Sequence, residues 1–153
     1  MENFTTNALN KFTGLMFFLK RSKADFEMVA DEIENHSLKT ALNNLSEESH
    51  YYASELKNYL KHLGVNSSTI NEDNYSYSYE DGTASEIGNL QNGNELDCLC
   101  AFNEISLTQA YSDLLEEPLP CKSLQEIIMY QLNALKITFL KIRTLNTARF
   151  AMY

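Results

Sequence analysis

Apolar residues recur at steps of three and four in four separate stretches of the chain, the spacing that gives a helix one buried stripe. The first stretch, from about Asn7 to Glu34, carries Leu9, Phe12, Met16, Leu19, Phe26, Ala30 and Ile33, and Thr5 or Thr6 can cap it. Asn35-His36-Ser37 breaks the pattern, with Ser37 the natural cap of a second helix. That helix carries Leu38, Leu42, Leu45, Tyr52, Leu56, Tyr59, Leu60 and Leu63 and stops at Gly64, the residue that best tolerates a left-handed cap. A break this short folds the two helices into an antiparallel hairpin.

From Val65 to Asn94 the pattern dissolves into Asn, Ser, Asp, Glu and Tyr, with Tyr75, Tyr77 and Tyr79 alternating with serine. A short helix from Thr83 to Leu90 is compatible with the flanking glycines. The stretch reads as a crossover connection and not as a domain linker, because neither flanking half could cover its own stripe. A third helix is predicted from Glu95 to Glu116, capped by Asn94, with Leu96, Leu99, Cys100, Leu107, Ala110 and Leu114 as its stripe. Pro118 and Pro120 end it. A fourth follows to about Thr147, burying Leu124, Ile127, Ile128, Leu135, Phe139, Ile142 and Leu145, with Lys136, Lys141, Arg143 and Arg149 near its C-terminal half, where the dipole favours them. The expected fold is a single all-α domain over residues 1–153: a ferritin-like antiparallel four-helix bundle of two helical hairpins joined by a long crossover connection.

Particular residues strengthen that expectation. Glu48-x-x-x-Tyr52-x-x-Glu55-Leu56 running to Leu63-Gly64, then Asn103-Glu104-x-x-Leu107-x-x-Ala110-Tyr111 with Leu119-Pro120, then Gln131 and Arg143-x-Leu145, resemble an uncharacterised bacterial ferritin-like family of four-helix bundles. The resemblance spans about Leu9 to Leu145. It implies the bundle fold and a cytoplasmic bacterial setting, and it brings no established activity.

Charge and cysteines narrow the setting. Twelve basic against 21 acidic residues give a formal net charge of −9, which argues against a nucleic-acid-binding surface. The three cysteines, Cys98, Cys100 and Cys121, are odd in number, and the first two point about 200° apart on a helix. Free thiols in a reducing cytoplasm fit best. No basic leader precedes the apolar run Leu15 to Leu19, which is too short for a signal or a membrane span.

A di-iron carboxylate centre is the chemistry this architecture suggests first. It needs a Glu from each of two helices and a Glu-x-x-His from each of the other two, all pointing inward at one level. The one spacing match, Glu47-x-x-His50, puts Glu47 on the wet face of the second helix, and the fourth helix has no histidine. Were a metal present, Glu27, Glu48 and Glu104 are the inward ligands it would use.

The level where a metal would sit is instead expected to hold a polar layer of Lys23, Glu48, Glu104 and Gln131. Lys23 and Glu48 lie 13 and 12 residues either side of His36, and Glu104 and Gln131 lie 14 and 13 either side of Pro118. A lysine ammonium would replace the metal charge and neutralise one carboxylate, Gln131 would donate to the other, and Ser49 and Asn103 would complete the network.

No phosphate loop, nucleophile elbow or Ser/His/Asp constellation is present. The expected function is therefore a non-enzymatic structural or protein-interaction bundle with no cofactor. The competing readings are a carboxylate-bridged metal protein and a small-ligand binder at the bundle centre. Phe17 and Phe18, beside the first stripe, point to a homodimer through helix faces or to a further protein partner, and the apolar Phe150-Ala151-Met152-Tyr153 is expected to pack on the bundle or on a second subunit. Nucleic acid and membrane are not expected partners.

Overall fold

The computed structural model describes residues 4–75 and 93–151. Among them the chain is all-helical, with α1 (Thr6–Ala30), α2 (His36–His62), a single 3-10 turn (Glu72–Asn74), α3 (Gly93–Leu115) and α4 (Lys122–Ala151). None of the described residues lies in a strand. α1 packs on α2 and α3, and α4 packs on the same two, so each long helix has two principal neighbours.

The stripes read from the sequence form one continuous core. Phe12 and Leu19 of α1, Leu45 and Leu56 of α2, Leu99 and Leu107 of α3, and Leu124 and Phe139 of α4 are all wholly or almost wholly buried. Phe26 and Phe139 meet edge to face across it, their ring centroids 5.9 Å apart. No helix among the described residues is long and apolar enough to cross a membrane.

The helix ends follow local chemistry. Thr5 caps α1 by accepting the Ala8 N–H at 2.9 Å. At α2 the cap is Asn35, which accepts the Leu38 N–H at 3.0 Å, so Ser37 lies inside the helix. Gly64 adopts φ +93°, while the Val65 N–H reaches the Leu60 carbonyl and the Gly64 N–H that of Lys61. This is the paired closure that a left-handed residue permits. α1 stops at Ala30, four residues before the predicted end; Ile33 is buried all the same, from the connection. α3 begins at Gly93, which puts Asn94 within the helix, and α4 runs on to Ala151.

Only the first part of the polar connection is described. Tyr75 leans on α1, with its ring centroid 5.1 Å from that of Phe17 and 6.1 Å from that of Phe18. It can do so because Gly14 carries no side chain; a methyl group there would come within 3.1 Å of the ring. The aromatic flank expected to serve dimerisation is thus partly covered from within the chain, leaving Phe18 buried and Phe17 half-buried. Tyr77, Tyr79, the short helix predicted over 83–90, Met152 and Tyr153 lie outside the described residues.

Candidate functional site

Gln131 organises the polar centre between α2 and α4. Its side chain is wholly buried. Its Nε2 donates to Glu55 Oε1 at 2.8 Å and to the Tyr52 carbonyl at 3.3 Å, and its Oε1 accepts from the Tyr111 hydroxyl at 2.9 Å. An ionised carboxylate can only accept, so Glu55 fixes which way the amide faces and thereby makes Tyr111 a donor.

Glu48 lies beside this chain of bonds. Its Oε2 accepts from the Tyr52 hydroxyl at 2.8 Å and its Oε1 from the Thr138 hydroxyl at 2.8 Å. The Ala134 carbonyl, 3.1 Å from Thr138, competes for the same proton, and the charged acceptor is the stronger. Among the described residues no ion pair involves Glu48 or Glu55. Their negative charge is held by a phenol, an alcohol and an amide.

Lys23 does not take the place expected of it. Its ammonium pairs with Glu27 one turn along α1 at 3.2 Å, on the outer side of the helix, while its backbone carbonyl accepts from Ser46 of α2 at 2.8 Å. The buried position at that level is Ser22. Glu104 pairs with Arg143 of α4, not with a lysine. Ser49 bonds back to the Leu45 carbonyl at 2.9 Å and joins no network.

Asn103 takes part in a second polar cluster, between α1 and α3. Its Nδ2 donates to Asp25 Oδ2 at 3.3 Å, and the same oxygen lies 3.5 Å from Arg21 Nε. The Arg21 guanidinium sits 5.0 Å from the centroid of the Phe102 ring on α3. Arg21 and Asp25 are both buried as side chains, at 8% and 9% exposure, so this is a desolvated ion pair. Sequence reasoning missed it. The available signal was an Arg and an Asp four residues apart, both beside the α1 stripe.

The donors present do not fit a di-iron centre. Glu27 is on the surface, both oxygens of Glu48 already accept hydrogen bonds from the chain, and Glu104 is held by an arginine. No three His, Cys, Asp or Glu side chains among the described residues are grouped to hold a metal ion. Histidines 36, 50 and 62 are all exposed, and so is Glu47.

The electrostatics of the centre keep its phenols protonated. Burial, the hydrogen bond to Glu48 and that carboxylate's charge push the Tyr52 pKa upward. Burial, reinforced by Tyr52, Glu48 and Glu55, pushes Tyr111 well above the ordinary phenol value. Burial, with Asp97 nearby, pushes the Cys100 thiol up to about 12, which makes it inert as a nucleophile. The arrangement can hold carboxylates and neutral phenols in fixed positions.

On its outer side the Glu48–Tyr52–Glu55 row opens into a groove of about 640 Å³, bounded also by Asn44, Glu47, Tyr51 and Tyr130. Tyr52 and Tyr130 stand edge to face with centroids 6.5 Å apart. A second concave surface, of about 500 Å³, lies between α1 and α3 beside Gly14, Tyr75 and Ile105. No family model, no curated protein and no solved structure matches this chain.

Proposed function

We propose that this chain is a ferritin-like antiparallel four-helix bundle whose hairpins are joined by a crossover connection over 65–94, and that it works as a non-enzymatic structural and protein-interaction module. In this reading it belongs to the uncharacterised bacterial family that its helices resemble, is cytoplasmic, and pairs with a second copy of itself through helix faces. The pairing of Lys11 with Glu117 and of Asp25 with Asn103 supports opposite directions for α1 and α3. Contacts of Glu48 with Thr138 and of Glu55 with Gln131 support the same for α2 and α4.

One observation carries the functional reading. The inward carboxylates of the central layer are engaged by donors of the chain itself, so the layer sets helix register, a well-attested use of buried polar groups. Self-association is supported by the large apolar side chains that α4 leaves in solvent: Met129, Tyr130, Ile137 and Leu140 are 49%, 66%, 69% and 57% exposed. Sedimentation velocity on the full chain should give a homodimer at micromolar concentration, and a strict monomer defeats the pairing. Elemental analysis of protein purified without chelator should find no stoichiometric iron or manganese. One bound ion per chain would return the carboxylates to metal chemistry.

A further inference from the structure

Resting on the self-association reading, we propose that two copies pack antiparallel through the outer face of α4, with the two-fold axis at Ile137 and Lys141 of each copy seated in the acidic, tyrosine-lined groove of the other. Tyr130, Ile137 and Thr144 recur every seven residues and so lie along one line of α4, with Leu140 beside it. Tyr130, Ile137 and Leu140 are each more than half exposed.

The register follows from the two-fold. With Ile137 on the axis, a residue seven before it lies level with one seven after it in the other copy, Tyr130 against Thr144. Likewise Asn133 lies level with Lys141. On α2 that height falls inside the groove, because Gln131 reaches Glu55 and Thr138 reaches Glu48 on either side of it. The flank is also the right one. Lys141 is exposed and follows Thr138 by three residues, which puts it on the α2 side of α4, about 60° further toward solvent. A two-fold running across the helix pair brings the α2 flanks of both copies to the same side.

Charge constrains how two copies can meet. Each copy carries a net −9, so two copies repel unless a cation meets the acids at the contact. Glu47, Glu48 and Glu55 line the groove, and none of them has an ion pair among the described residues. A lysine entering between them also meets the faces of Tyr51 and Tyr130.

The register is tested by cross-linking in a Cys98→Ser, Cys121→Ser background, where the remaining native thiol, Cys100, is buried. Ile137→Cys, on the axis, should form a disulfide-linked dimer on mild oxidation. Asn133→Cys should not, because its two copies lie about 12 Å apart along the helix. Lys141→Glu should weaken the dimer roughly tenfold or more, and adding Glu55→Gln, which keeps an acceptor for Gln131 and removes the repelling charge, should recover part of the loss, with helical circular dichroism reporting on the fold. A wild-type monomer overturns both this placement and the reading it rests on. A wild-type dimer that Lys141→Glu leaves intact, and that Ile137→Cys does not trap, overturns the placement alone.

Discussion

Asp25 and Glu48 are carboxylates turned inward from neighbouring helices, and the molecule holds them by opposite means. Asp25 has a buried arginine beside it and an asparagine from the facing helix, so its charge is balanced inside the protein. Glu48 has a tyrosine and a threonine, which satisfy its oxygens and leave its charge in place. Satisfying an atom and neutralising a charge are separate physical problems: the α1–α3 side balances the charge with a cation, while the α2–α4 side fills both oxygens and leaves the charge. That charge lies at the wall of a groove, where it can attract a cation from outside.

The comparison predicts an ordered series of effects. Arg21→Ala strands a buried carboxylate beside Asn103 and should cost about 3–5 kcal/mol in urea denaturation; a loss below 1 kcal/mol would mean that Asp25 reaches water. Gln131→Leu removes at once the acceptor of Tyr111 and a donor to Glu55, and should cost about 2–3 kcal/mol by the same measurement. The alkaline limb comes next. The phenol pKa values of Tyr52 and Tyr111 are raised in the folded protein, so the stability they contribute is complete below pH 10 and declines above it, by up to about 1.4 kcal/mol per pH unit for one buried phenol. Tyr111→Phe should flatten that decline, and an unchanged alkaline slope would show the hydroxyl to be solvated. The smallest effect belongs to Lys23→Ala, whose lost pair with Glu27 is exposed: under about 1 kcal/mol, and less in high salt.

The ranking also marks what the sequence could and could not disclose. Helix stripes were legible because burial repeats with the helical period, and Gly64 was legible because a single backbone conformation demands it. The end of α1 was not. Ile33 stays buried after the helix has stopped, and so carries the stripe three residues past the end of the helix. Lys23 was misplaced for a related reason. A step of four after Leu19 fits the stripe no worse than a step of three, but Ser22 takes the buried position and Lys23 turns about 100° toward solvent. The pairing of Glu104 with Arg143 depends on how far long side chains reach across helices, which periodicity does not encode, whereas that of Arg21 with Asp25 lies within α1 at a spacing the sequence displays.

Gly14 and Tyr75 bear on the order of assembly. Every contact that ties the start of the polar connection to α1, together with the packing of α1 on α2, is made among residues 6–75. In a nascent chain leaving the ribosome, that half has all its own pieces before the first residue of α3 is polymerised. The α1–α2 contacts nearest their short connection span small sequence distances, the kind that form early, whereas Tyr75 must return across the whole hairpin to reach Gly14. What the first half lacks at that stage is the facing helices, so it would wait with its apolar stripe uncovered until synthesis supplies them.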